Sequence, residues 1–181
     1  MLSADDDDVA AVLGGDLERF EGIVHRWQRP LVNLAYRYVR DHARAEDLAQ
    51  EAFLKCFRSL RQWRREAQFS TWLFSVAVSV YRSRLRRLEP VLALLDDNEA
   101  TKDSSAETID DRIDEGRRAE SIRRAVAALP PLYRDPMIVF YFQDEDLATT
   151  AKVLGLREGT LKARLHRARE ILRAVFTGET K

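Results

Sequence analysis

The chain has 181 residues, 45% of them hydrophobic, and formal charges that cancel to zero. That is enough apolar material for one or two cored domains, without any run approaching the roughly twenty apolar residues of a membrane span. One cysteine rules out an internal disulfide, and three scattered histidines match no metal-ligand spacing, catalytic triad or cofactor motif. The N-terminus has acids where a secretory leader has bases, so an unexported chain in a reducing cytoplasm is expected.

The zero balance hides four blocks of alternating sign. Residues 1–18 carry six acids and no base (−6), and 19–90 carry fifteen bases and seven acids (+8). Residues 91–116 carry two bases and nine acids (−7), and 117–181 carry thirteen bases and eight acids (+5), which sums to zero. Two basic domains joined by an acidic connector are therefore expected, and the overall charge says little about either domain's partners.

Residues 1–15, with the run Asp5 to Asp8, read as a disordered acidic tail. From Asp16 to Val39 the apolar positions Leu17, Phe20, Ile23, Val24, Trp27, Leu31, Leu34, Ala35 and Tyr38 recur at helical spacing, with Pro30 as a possible kink or boundary, giving one long helix or two collinear ones. Asp41 to Arg44 reads as a turn, and a second helix follows over 45–60 through Leu48, Ala52, Phe53, Cys56 and Phe57. Cys56 sits in an apolar run, which suits a buried free thiol. Ser70 or Thr71 can cap a third helix running to about Leu88 and stopped by Pro90, with Trp72, Leu73, Val76 and Val80 as core. Residues 91–116 read as an acidic flexible linker that buries too little to order itself. Helical pattern resumes near Arg117, pauses at Leu129-Pro-Pro131, and continues from Tyr133 to Phe142. The expected fold is all-α: residues 16–90 and 117–176 form two small helical domains, and the second ends in a helix-turn-helix.

That last motif is the most informative stretch. Leu147, Ala151 and Leu154 share one helical face, Gly155 can supply a left-handed turn, and Leu156, Leu161 and Leu165 give the next helix a buried stripe. The opposite face then carries Arg157, Lys162, Arg164, Arg167 and Arg169, the cations a phosphate backbone needs, with Thr160 and His166 able to bond base edges. An amphipathic surface helix with a solvated charged face has the same pattern, so this segment alone leaves both readings open.

Four strings together carry a resemblance: Ala45-Glu-Asp-Leu-Ala-Gln-Glu-Ala-Phe53, Phe69-Ser-Thr-Trp-Leu-Phe74, Leu129-Pro-Pro-Leu-Tyr-Arg134 and Gly159-Thr-Leu-Lys-Ala-Arg-Leu-His-Arg-Ala-Arg169. In order and spacing the chain resembles the extracytoplasmic-function (ECF) sigma factors, the small two-domain branch of the sigma-70 family. The resemblance implies an alternative bacterial sigma factor, not an enzyme and without cofactors. Its first domain would bind the clamp helices of the polymerase β′ subunit and melt and read the minus 10 element, and its second would read the minus 35 element. Carried over by position, Glu46, Asp47, Gln50, Glu51 and Leu54 fall on the core-polymerase-binding helix. Asp47, Gln50, Glu51 and Leu54 do share one side at spacings of three and four. The alternative for that face is ordinary solvation, with pairs such as Glu51 and Lys55.

By the same carry-over, minus 10 DNA would meet Trp63, Arg64, Arg65, Ser79, Tyr81, Arg82, Ser83, Arg86 and Arg87. Cations hold phosphates and aromatic faces stack on extruded bases, and Trp63 and Tyr81 are the aromatics expected at the DNA once Trp72 and Leu73 are given to the core. The family commonly has an asparagine and an aspartate where this chain has Ser79 and Ser83, which implies an altered or relaxed minus 10 preference. On the minus 35 side the carry-over selects Arg157, Thr160, Lys162, Ala163, Arg164, Arg167 and Arg169, with the last two holding phosphates or the polymerase β flap. Thr149 and Thr150 replace the family's frequent glutamate and aliphatic residue. The partners implied are core RNA polymerase, promoter DNA and an anti-sigma factor, with no membrane and a monomeric free state. The acidic linker would mimic nucleic acid in a basic channel or serve only as a solvated spacer. The reading kept from another class is a helix-turn-helix transcriptional regulator acting without polymerase, for which dimerisation on a palindrome is the mark.

Overall fold

The computed structural model describes residues 3–95, 111–143 and 146–177. Among the described residues every regular element is helical: α1 (Ala4–Leu13), α2 (Phe20–Val39), α3 (His42–Ser59), α4 (Phe69–Leu95), α5 (Asp111–Ala127), α6 (Pro131–Gln143), α7 (Leu147–Leu154) and α8 (Glu158–Thr177). Short 3-10 turns at Leu17–Arg19 and Leu60–Gln62 lead into α2 and out of α3. The all-α expectation holds, and 96–110, the centre of the expected linker, lies outside the described residues.

The first core is made where α2, α3 and α4 face one another. Ile23, Leu31, Leu34 and Ala35 from α2, Ala45, Ala52 and Cys56 from α3, and Leu73 and Ala77 from α4 are all fully buried. Each large aliphatic chain in that set contributes about 1.5 to 3 kcal/mol of burial. Alanines at three successive contact points of α3 bring it close to its neighbours. Pro30 lies inside a continuous α2, so it is no boundary. Arg40 ends α2 in the left-handed conformation at φ 57°, which turns the chain into α3.

Three sequence expectations are corrected here. The supposed tail is α1, capped by Ser3, whose hydroxyl accepts from Asp6 N–H while the Asp6 carboxylate accepts from Ser3 N–H. Val9 and Val12 are buried on its inner side, and three of its four aspartates, Asp5, Asp6 and Asp8, are structural. Asp5 accepts from Arg26 Nε and Trp27 Nε1, and Asp8 pairs with Arg19 and Arg26. Asp41 to Arg44 is no free turn: Asp41 is the N-cap of α3, accepting from Arg44 N–H at 2.9 Å, and the helix begins at His42. Pro90 does not stop α4, which continues to Leu95; a proline deletes one backbone donor, and the rest of a long helix can carry the gap.

In the second helical group α6 packs on α7 and α8. Met137, Ile138 and Val139 are consecutive and all buried, as expected for a helix covered on more than one side. Pro131 opens α6 at a position where its missing N–H costs nothing. The α7–α8 corner is built as the sequence suggests: Asp146 caps α7 by accepting from Thr149 N–H at 2.7 Å, Gly155 adopts φ 64°, and Leu161, Leu165 and Ala168 are buried. The two groups also touch, α4 against α7 and α2 against α5 and α6.

Candidate nucleic-acid interface

On α3 the positions Glu46, Asp47, Gln50 and Leu54 are exposed, Leu54 to 56%. Glu51, one step round, is only half-exposed, and its carboxylate takes both Nε and Nη2 of Arg84 on α4 instead of Lys55. The outer face of α3 is therefore acidic and amide-bearing, with one apolar anchor.

Between the end of α3 and the start of α4 the chain forms an open crevice of about 840 Å³. Its walls include Arg61, Gln62, Arg64, Trp72 and Ser75, with Lys152 of α7 at the rim. Trp63 forms part of the floor. It is 9% exposed, its Nε1 donates to the Ala67 carbonyl at 3.1 Å, and its ring stands edge-on to Phe69 at 5.2 Å. Arg65, at φ 59°, lays its guanidinium over the Trp63 ring at 5.7 Å. A recess of this size with an aromatic floor and cationic walls suits an extruded base with its phosphate.

Two expectations change in this region. Tyr81 is fully buried and its hydroxyl donates to the Leu31 carbonyl at 3.0 Å, so it is a core residue and cannot stack on DNA. Trp63 can shape the recess but presents little free ring. Trp72, assigned to the core from sequence, is half-buried: it packs against the core and also lines the recess. Arg61, Gln62 and Lys152 were not singled out from the sequence. The first two adjoin Trp63 in a cationic string, which was a usable signal, whereas Lys152 arrives from another element. Along α4, Ser79, Arg86 and Arg87 are exposed and Ser83 is half-exposed. Arg82 is held by Asp135 of α6, Nε to Oδ2 at 2.6 Å.

The outer face of α8 gathers the other set. Arg157, Thr160, Lys162, Ala163, Arg167 and Arg169 are exposed and Arg164 is half-buried. Arg167 Nη1 donates to Glu170 at 3.0 Å, which raises the guanidinium pKa and lowers that of the carboxyl. Arg169 Nε donates to the Tyr141 hydroxyl at 3.1 Å. The C-terminal pair is thus pre-oriented by neighbours, while Arg157, Thr160 and Lys162 stand near the helix start, where backbone N–H groups also favour phosphate.

Two family models match these units: sigma-70 region 2 over residues 23–90 and sigma-70 region 4 over residues 119–172. Over 162 residues the chain is 32% identical to the ECF RNA polymerase sigma factor SigM of Mycobacterium tuberculosis, covering 89% of this chain and 79% of that one. The chain belongs to the ECF branch of the sigma-70 family. It is also 28% identical over 173 residues to the ECF sigma factor SigW of Bacillus subtilis, covering 91% of this chain and 92% of that one. Among solved structures, CnrH in complex with the cytosolic domain of CnrY superposes with a TM-score of 0.67 at 20% identity, over 98% of this chain and 100% of that one. RpoE of Bartonella quintana, in complex with the anti-sigma factor NepR, gives 0.63 at 20% identity over 87% and 96%. At those identities the superpositions speak for the fold.

In sigma-factor terms, the acidic α3 face and the α4 recess both lie in region 2, and the basic α8 face lies in region 4. The region 2 match begins at Ile23, inside α2, and α1 lies ahead of it, packed against α2. No described helix is long and apolar enough to cross a membrane.

Proposed function

We propose that this sigma factor binds core RNA polymerase through the outer face of α3 and directs initiation at promoters whose minus 10 element enters the α4 recess and whose minus 35 element meets α8. The observation that carries the reading is the opposite sign of the two exposed helix faces within one chain. Glu46, Asp47 and Gln50 of α3 suit a basic protein surface, whereas Arg157, just ahead of α8, and Lys162, Arg167 and Arg169 on it suit duplex phosphate. Thr160, Ala163 and Arg164 would approach base edges, and Arg167 and Arg169 would hold phosphates or the β flap. Arg64, Arg65, Arg86 and Arg87 would hold the displaced strand. The work is an initiation factor's: recognition by this chain, with bond-making left to the polymerase, in the cytoplasm where core enzyme and chromosome are found. A monomeric free state and restraint by an anti-sigma factor belong to the same reading, the latter supported by the partners of the two superposed structures.

The test is competition for sigma-free core enzyme against a primary sigma factor, with Asp47→Arg alongside. Displacement by the natural chain, and loss of displacement in the folded variant, is the expected result. Failure of both to bind core, with duplex DNA still retarded, would hand the function to the alternative, a regulator that works without polymerase. Ser79 and Ser83 lack the reach and charge of asparagine and aspartate, and relaxed minus 10 selection follows from that. A library of minus 10 variants scored for open complexes should give a flat profile; a profile sharpened by Ser79→Asn with Ser83→Asp would support the assignment.

A further inference from the structure

Between the end of α2 and the helices α5 and α6 lies a cavity of about 350 Å³, lined by none of the residues proposed for polymerase or promoter DNA. Small-molecule sites begin at roughly 300 Å³. The floor is aliphatic: Val126 of α5 with Met137 and Ile138 of α6, the last two buried. At the mouth Ile122 stands 50% exposed and Tyr141 56%, the Tyr141 hydroxyl accepting from Arg169 Nε at 3.1 Å. Large apolar side chains left open around one recess, and not scattered singly, point to something apolar docking there.

The rim is cationic. Arg37 and Arg40 come from α2 and Arg123 from α5. Glu120 beside them is shared: Arg40 Nη2 donates to both of its oxygens at 2.7 Å, and Arg123 and Arg124 reach it at 3.1 and 3.4 Å. The Glu120 carboxyl is held below its ordinary pKa, chiefly by the bond from Arg40. The Arg37 pKa is lowered too, first by partial burial and then by the like charges of Arg123 and Arg40. Guanidinium groups that depress one another beside an apolar floor are relieved by a further anion.

An anionic amphiphile answers both halves of the cavity. An alkyl chain lies against Val126, Met137 and Ile138 with no polar atom left unsatisfied, whereas a sugar or nucleoside would set hydroxyls on an aliphatic floor. A carboxylate head fits guanidinium forks, as Glu120 already does with Arg40. We propose that the cavity between α2, α5 and α6 binds a medium-chain fatty acid, its chain on Val126, Met137 and Ile138 and its carboxylate among Arg37, Arg40 and Arg123.

The experiment titrates the full chain, without polymerase or DNA, with decanoate below its micellar range, by calorimetry and by the thermal midpoint. One saturable site and a raised midpoint are expected, because a ligand held only by the folded chain stabilises it. Decanol should bind about tenfold more weakly for want of a charge-assisted hydrogen bond, and neither protonated decylamine nor acetate should bind. Ile122→Glu and Arg123→Gln alter exposed side chains, so folding is not at stake. Each should weaken decanoate about tenfold and leave the ligand-free midpoint where it was. A midpoint that falls with decanoate, as with a detergent, overturns the proposal. So does decanol binding as tightly as decanoate, or decanoate binding both variants like the natural chain. If decanoate fails and an acidic amphipathic peptide helix binds the natural chain but not Ile122→Glu, the surface belongs to a protein partner and the fatty acid is excluded.

Discussion

Tyr81 separates core from interface at the level of one hydroxyl. Removing the bond to Leu31 in Tyr81→Phe should cost about 1 kcal/mol of folding stability, read by urea unfolding, and leave initiation unchanged; a selective loss of open complexes would return Tyr81 to the DNA. Cys56 is fully buried, and burial pushes its thiol pKa up to about 12. A thiol reagent at pH 8 should therefore react at the rate of unfolding and not at that of a free thiol. Asp146 offers a pH test. Its carboxylate accepts the Thr149 backbone N–H, chiefly for which its pKa lies below the ordinary 3.8. A lowered folded pKa means the cap stabilises fully above the unfolded pKa and fades as pH falls through the folded one. The stability gap between the natural chain and Asp146→Ala should accordingly be constant above about pH 5 and narrow below about pH 4.

At the scale of elements, the α7–α8 corner depends on Gly155. With φ at 64° and no atom within 4 Å of an added Cβ, the penalty of Gly155→Ala is conformational and not steric. About 1 to 2 kcal/mol should be lost from the thermal stability of the second domain, with Gly155→Asn losing less. This corner was legible in the sequence because two signals agree: apolar positions at helical spacing, and glycine at the turn. The same logic failed for α1. Four consecutive aspartates look like a solvated tail, yet Ser3 and Asp6 form a capping box, and Asp8 is accommodated because residue 22 is glycine. A Cβ there would come within 2.7 Å of Asp8 Oδ2. The usable signal was Ser3 ahead of Asp6, with Val9 and Val12 at helical spacing. Tyr81 went to the core and Trp72 reaches the recess as well as the core for a related reason: periodicity shows which helix face is apolar, but not how completely each aromatic on it is covered.

For the whole molecule, formal charge is a poor guide to binding, since acidic and basic blocks sum to zero. Duplex binding by α8 should still weaken with salt. If Arg157, Lys162, Arg167 and Arg169 each meet a phosphate, the logarithmic slope is about −3.6, at −0.9 per contact, and a slope near zero would exclude that assignment. The seam between the domains was not legible in the sequence at all, because Arg82 and Asp135 are 53 positions apart and each alone looks like surface charge. One pairing inside region 2 bears on how every variant of this protein is to be interpreted. Arg84 on α4 and Glu51 on α3 neutralise each other, so the face proposed for promoter DNA and the face proposed for polymerase share an electrostatic joint. Reversing Glu51 would set like charges together and disturb α4 as well as α3, giving a phenotype that mixes two functions. Asp47 has no such tie to α4 and isolates one of them, and charge swaps at 51 and 84 become interpretable only when made together.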